Sequence, residues 1–209
     1  MNEFFIFQLI VLIFSVVVHE VSHGYVAEWL GDQTARLAGR LTLNPLKHLD
    51  PFGSFLLPLL LYFTSGGSLM FGWAKPVPYN PLVLKNPLSA AGKIAAAGPA
   101  SNLIMALVFG IILRVIIVFG APPQLLVELL AIVVYINVLL AVFNLVPLPP
   151  LDGSKVLFSL LPKNEAALRF TLTLERYGVF LVIVFILFGF QMIVPVIRLI
   201  FSLIVGQSL

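Results

Sequence analysis

Residues 4–30 form a nearly unbroken apolar run with His19, Glu20 and His23 set inside it as H-E-x-x-H. Phe4 to Val18 is apolar except for Gln8 and Ser15, and the run resumes through Tyr25, Val26, Trp29 and Leu30. At about 1.5 Å per residue, His19 lies some 20 Å along a helix crossing a hydrocarbon layer of about 30 Å. A carboxylate and two imidazoles at that depth are costly unless they serve a function. At about 100° per residue, histidines four apart sit within about 40° of each other, one turn apart. Both can then grip one zinc ion, with the glutamate placed as general base. The same five residues in a soluble helix are commonly a solvated face, and an intramembrane histidine pair also suits ion or proton transport. The motif alone leaves hydrolase and transporter open.

Composition supports the membrane reading. The 209 residues are 60% hydrophobic and 10% charged, with a mean hydropathy of +1.09; a soluble domain carries about 25% charged residues. No polar stretch is long enough for a soluble module, so residues 1–209 read as a single integral-membrane domain. The net charge of +3 comes from Lys and Arg in short loops, which suits a bilayer with anionic headgroups and not nucleic acid. Cysteine is absent, which excludes disulfides, iron–sulfur clusters and thiolate metal sites. Only three histidines are present, too few for an iron-dependent membrane oxygenase or desaturase. The first apolar run has Glu3 before it, lacks a positive leader and carries the motif, so it reads as a retained helix.

Along the chain, Gly31-Asp32-Gln33 stops the first helix. Residues 34–43 alternate weakly and suggest a short β-hairpin turning near Gly39. Asn-Pro-Leu at 44–46, 80–82 and 86–88 marks recurrent turn chemistry. Residues 52–71 are apolar but broken by Gly53, Pro58 and Ser65-Gly-Gly-Ser68, and 72–81 is rich in proline. Two long apolar runs follow, 94–119 and 125–146. Three prolines within Pro147-Leu-Pro-Pro150 then unwind the backbone just before Asp152. Residues 154–176 are the most polar stretch, and the apolar run from Tyr177 to Val205 suggests one crossing followed by a kinked or interfacial helix. The expected fold is therefore an all-α polytopic membrane protein. It has a three-helix core (4–30, 94–119, 125–146), a hairpin and re-entrant insertion (33–93), and a C-terminal transmembrane helix.

A catalytic zinc usually takes three protein ligands. The candidates for the third are Glu28, His48, Asp50 and Asp152. Glu28 lies about 140° around the helix from His23, and a loop histidine or aspartate is more often solvated. Asp152, at a helix break after a hydrophobic hairpin, is favoured over His48. For it to meet the histidines, an even number of crossings must intervene. Runs 94–119 and 125–146 supply two, so 52–71 should enter and leave on one side. Arg36, Arg40, Lys47, Lys75, Lys85, Lys93, Lys155 and Lys163 then share one face, which the positive-inside rule makes cytoplasmic. The site would open towards the cytoplasm, with the N-terminus outside.

These residues together resemble the site-2 protease family of intramembrane zinc metalloproteases. The resemblance rests on His19-Glu20-x-x-His23, Gly98-x-x-x-Asn102 and Asn144-x-x-Pro-x-Pro-Pro-x-Asp152-Gly153. The stretches Asn44-Pro-Leu-x-His48-x-Asp-Pro51 and Gly72-Trp-Ala-Lys-Pro-Val-Pro78 resemble its compact bacterial and archaeal branch, without PDZ or CBS modules. It implies one zinc ion held by His19, His23 and Asp152, with Glu20 as catalytic base. Asn102 and Asn144 match polar positions near the site, as substrate or oxyanion support. It also implies regulated intramembrane proteolysis of transmembrane protein substrates, whose helices must unwind locally to expose an amide. An extended edge around 36–43 could receive the unwound segment by strand addition. The alternative is a metal-ion or proton transporter built on the same His/Glu/Asp set. Substrate identity and oligomeric state are not encoded in these features.

Overall fold

The structure, a computed structural model, describes residues 4–50, 56, 60 and 75–206. The helices are α1 (Phe5–Trp29), α2 (Thr34–Leu37), α3 (Pro87–Phe119), α4 (Gln124–Asn144), α5 (Asp152–Leu160), α6 (Glu165–Val184) and α7 (Val194–Val205). A π turn and a 3-10 turn carry α6 on to Met192. Among the described residues, four helical stretches are long and apolar enough to cross a membrane: Phe5–Trp29, Pro87–Phe119, Gln124–Asn144 and Glu165–Met192. The all-α, multi-pass expectation holds.

Helix ends follow local chemistry. Pro87, which has no N–H to leave unsatisfied, opens α3. Its helix therefore starts seven residues before the expected Ile94, because Ser89, Ala90, Ala91 and Lys93 all accept helical backbone although they are not apolar enough to extend the run. Asn164 caps α6 by accepting from the Ala167 N–H at 2.9 Å. The polar stretch 154–176 is thus mostly helical, split between α5 and the first turns of α6, and the last crossing begins well before Tyr177. Asn44 and Asn80 each accept from the N–H two residues on, at 3.1 and 3.0 Å, and so set two 3-10 turns. The third Asn-Pro-Leu opens α3 without such a bond.

The β-hairpin expectation is corrected. No strand occurs among the described residues, and Thr34–Leu37 is a helical turn. The Asp32 carboxylate accepts from the Thr34 N–H at 2.9 Å and its hydroxyl at 2.5 Å, bending the chain into a turn. Ala35 is then fully buried while Leu37 is exposed, so the weak alternation is not a sheet face. The strand edge expected around 36–43 to receive substrate is therefore not formed. The re-entrant element expected at 52–71 lies outside the described residues, apart from Leu56 and Leu60.

α1, α3 and α4 pack as the expected three-helix core. His23 lies opposite Ile94 and Ser15 opposite Asn102, so α1 and α3 run antiparallel. α7 joins this core, with Ile197, Phe201 and Val205 packed among Ala106, Leu113, Val134 and Val138. Arg114, the one cation inside the apolar run of α3, donates to the Leu203 carbonyl and so caps the end of α7. Small residues set the helix separations: a Cβ at Gly110 would lie 2.1 Å from Ile204 Cγ2. Gly110→Val should therefore wedge α7 off α3. Overpacking of this kind costs about 1–3 kcal/mol, lowering the melting temperature in detergent by roughly 5 °C. Zinc content, measured on the same preparation, should be unchanged.

Candidate metal centre

His19 and His23 project from α1 towards Gly98 of α3, and α5 brings Asp152 to the same point. His19 Nε2 is 3.0 Å and His23 Nε2 3.2 Å from Asp152 Oδ2. The two rings stand edge to face, 4.7 Å between centroids. Among the described residues these three form the only group of histidines and acids with metal-binding spacing, their donor atoms within 4.8 Å of one another. The other candidates for a third ligand are engaged elsewhere. Glu28 is ion-paired with Arg36, one bond being 2.8 Å. His48 is buried and bonds through Nε2 to the Thr42 carbonyl at 2.8 Å. Asp50 is not part of the cluster.

The opposite nitrogens define the chemistry of the cluster. His23 Nδ1 meets the Ile94 carbonyl at 2.6 Å, and His19 Nδ1 meets Asn102 Oδ1 at 2.6 Å. Both partners are oxygens that accept, so each Nδ1 carries a proton and donates it. In the neutral ring each Nε2 then presents a lone pair towards Asp152. Two bare nitrogens and an anion converging inside an apolar bundle call for a cation. Zinc bonds of about 2.0–2.1 Å give a tetrahedron whose edges are about 3.3 Å, close to the two distances here. The residues present fit the ion.

Gly98 makes this possible. A Cβ there would lie 2.5 Å from His19 Nε2 and 2.6 Å from His23 Cε1, so only glycine lets the imidazoles lie against α3. Asp152 is delivered by the broken backbone after α4. Leu145 N–H bonds back to Ala141 O at 3.1 Å, and Leu151 N–H to Leu148 O at 2.9 Å. These turns reverse the chain at the prolines, and Asp152 then starts α5.

Glu20 lines the same cavity of about 170 Å³, with Val77, Tyr79, Asn144 and Lys155. One carboxylate oxygen of Glu20 accepts the Val77 N–H at 2.9 Å. Val77 belongs to an extended strap, residues 75–80, tied down along its length. Lys75 N–H reaches the His48 carbonyl at 2.8 Å, Arg40 donates to the Lys75 carbonyl at 2.5 Å, and Asn80 N–H reaches Asp32 at 2.5 Å. Despite burial, which opposes ionisation, bonds from Thr34 and Asn80 hold the Asp32 carboxyl below its ordinary range.

The two asparagines occupy different places. Asn102 is fully buried behind His19, its Nδ2 donating to the Ser15 carbonyl at 3.2 Å and to Asn137 Oδ1 at 2.9 Å. Asn144 lines the cavity and donates to the Leu140 carbonyl at 2.9 Å. Sequence reasoning passed over Asn137 and the strap. The signal for Asn137 was present, a single amide in an otherwise apolar stretch of α4. The strap's contribution is a backbone N–H, which residue identity does not reveal.

The family model described as peptidase family M50 matches residues 7–122 and 115–185. Among curated proteins, YwhC of Bacillus subtilis (strain 168), provisionally named a zinc metalloprotease, is 41% identical over 184 residues. That alignment covers 85% of this chain and 79% of YwhC. Rip2 of Mycolicibacterium smegmatis, likewise provisionally named, is 30% identical over 177 residues, 83% of this chain and 63% of Rip2. MJ0392 of Methanocaldococcus jannaschii, named a zinc metalloprotease, is 28% identical over 195 residues, 90% of this chain and 44% of MJ0392. No solved structure gives a significant match.

The Gly98 contact yields a direct test. Gly98→Ala should push both imidazoles off α3 and weaken zinc binding at least about ten-fold, as displacement of ligand-orienting groups does. Competition against a chelating dye would measure it. Wild-type affinity in this variant would show that the close approach is not needed.

Proposed function

Because the chain belongs to peptidase family M50, and is by that membership an intramembrane zinc metalloprotease, we propose that His19, His23 and Asp152 hold one zinc ion and that Glu20 is the general base. The observation that carries this assignment is the convergence of two Nε2 atoms and the Asp152 carboxylate on one point, each imidazole being tied through Nδ1 to an accepting oxygen. When bound, zinc supplies Lewis-acid polarisation of the scissile carbonyl and acidifies a water. Glu20 would take up a proton from the attacking water and return it to the leaving amine. The Val77 N–H orients the Glu20 carboxylate for this transfer. Asn144, on the cavity wall, is the better placed of the two asparagines to support the oxyanion, and Asn102 acts through His19 instead.

The substrates in this reading are transmembrane proteins of the bilayer, cut in a locally unwound helix during regulated intramembrane proteolysis. In this reading residues 1–209 belong to one integral-membrane domain. A transporter is less well supported, since a transport path needs polar side chains spread along several helices. Here the buried amides and imidazoles close on one another around a single site. Purified protein and a transmembrane peptide separate the readings. Glu20→Gln should lose about 10²–10⁴-fold in cleavage rate while retaining zinc. His19→Ala and Asp152→Asn should lose the metal itself. Cleavage that survives Glu20→Gln would remove the general-base assignment.

For orientation, we place the end carrying Asp152 in the cytoplasm, because Arg36, Arg40, Lys47, Lys75, Lys85, Lys93, Lys155 and Lys163 fall in segments at that end. The absence of cysteine makes the test clean. Lys47→Cys should react with an impermeant maleimide only in inverted vesicles, and Ala121→Cys, in the exposed turn between α3 and α4, only in right-side-out ones. The opposite pattern would invert the topology.

A further inference from the structure

We propose that Asn137 is a positioning residue for the metal centre, acting through Asn102 to dictate which nitrogen of His19 carries the proton. The proposal rests on His19 being a zinc ligand. Asn137 is fully buried in α4 and does not line the cavity. Its Nδ2 donates to the Val133 carbonyl at 2.9 Å and to Ser15 Oγ at 3.0 Å. A backbone carbonyl only accepts, so the amide nitrogen is held on that side and Oδ1 faces Asn102. That oxygen also only accepts, so Asn102 must turn its own Nδ2 towards it, at 2.9 Å. The Ser15 carbonyl, 3.2 Å from the same nitrogen, favours the same orientation. Asn102 Oδ1 is left facing His19 Nδ1 at 2.6 Å, where it can only receive a proton. The lone pair of His19 therefore stays on Nε2, towards Asp152. With Asn102 reversed, an N–H would oppose Nδ1, the ring proton would move to Nε2, and it would occupy the ion's place.

The chain of donors thus has one direction, imposed at its far end by the Val133 carbonyl of α4 and supported at Asn102 by the Ser15 carbonyl of α1. A simpler role is available to Asn137: interhelical amides hold membrane helices together without any link to a site. The two roles differ in how losses combine. Glue contributes whether or not Asn102 is present. A relay contributes only through it.

Zinc affinity of the full chain in detergent, measured by competition with a chelating dye, distinguishes them. Asn102→Leu should weaken binding by about 10–100-fold and Asn137→Leu by about ten-fold. The double variant should bind no more weakly than Asn102→Leu alone. Losses that add in the double variant, or wild-type affinity in Asn137→Leu, would overturn the relay. His19→Ala is the control on its premise. If that variant keeps wild-type affinity, the ligand assignment fails and the relay with it. If it loses zinc while Asn137→Leu does not, only the relay fails. Should Asn137→Leu not fold, Ser15→Ala removes one acceptor of the Asn137 amide with little change in packing. It should weaken zinc binding a few-fold in the native background and not at all beside Asn102→Leu. An equal loss in both backgrounds would again refute the relay.

Discussion

Three electron pairs aimed at one point inside an apolar bundle repel one another unless a positive charge sits between them, and the arrangement of this chain follows from that constraint. The imidazoles cannot rotate away, because each is tied through Nδ1 to an oxygen on α3. The carboxylate cannot withdraw, because Asp152 opens α5 directly after a proline-bound reversal of the chain. Burial of the cluster makes the mutual repulsion larger than it would be in water, and makes a bound cation correspondingly stabilising. A cation held there would therefore tie α5 to α1 as well as serve chemistry.

The packing around this point uses absence of side chain as much as presence. Gly98 clears the space into which both imidazoles fit, and Gly153, whose Cβ would lie 2.2 Å from the Leu145 carbonyl, lets the start of α5 close against the end of α4. Without the first, the rings are pushed off α3. Without the second, Asp152 is held away from them. In lipid there is little hydrophobic gain from bringing helices together, so close backbone approach and interhelical hydrogen bonds must do it. Ser15, Asn102 and Asn137 supply those bonds across α1, α3 and α4, and they do so immediately behind His19.

Much of this was legible in the residue order, and the reasons differ by element. Long apolar runs announce membrane helices through length alone, so the core helices of residues 4–30, 94–119 and 125–146 were readable to within a turn or two. Asp152 was favoured as the partner of His19 and His23 because it stands at a helix break after a hydrophobic hairpin, and the count of crossings followed from that choice. Thr34–Leu37 was not legible, because its alternation imitates a strand while Asp32 supplies a turn-forming carboxylate that pattern reading ignores. The early start of α6 was hidden for a related reason: Glu165, Arg169, Glu175 and Arg176 look like a loop by polarity, yet they are good helix formers, and Asn164 caps them. Asn102 was seen as polar and near the site. Its place behind His19, and not in the cavity, depends on a rotation about the helix axis that spacing from distant motifs cannot give.

The strap over the cavity carries the same logic to the base. Between Pro76 and Pro78 only Val77 has an N–H, since proline has none to give. That single donor goes to one oxygen of Glu20, and the prolines ensure that the neighbouring positions of the strap can offer no second. A carboxylate held by one backbone donor is oriented without being saturated, so it keeps capacity to accept a proton. Had the strap run Ala-Val-Ala, a rotation of the peptide plane could have brought competing donors to the same carboxylate. The prolines that make residues 75–80 unable to form helix or sheet are thus the feature that suits the strap to lie beside Glu20 in the role proposed for it.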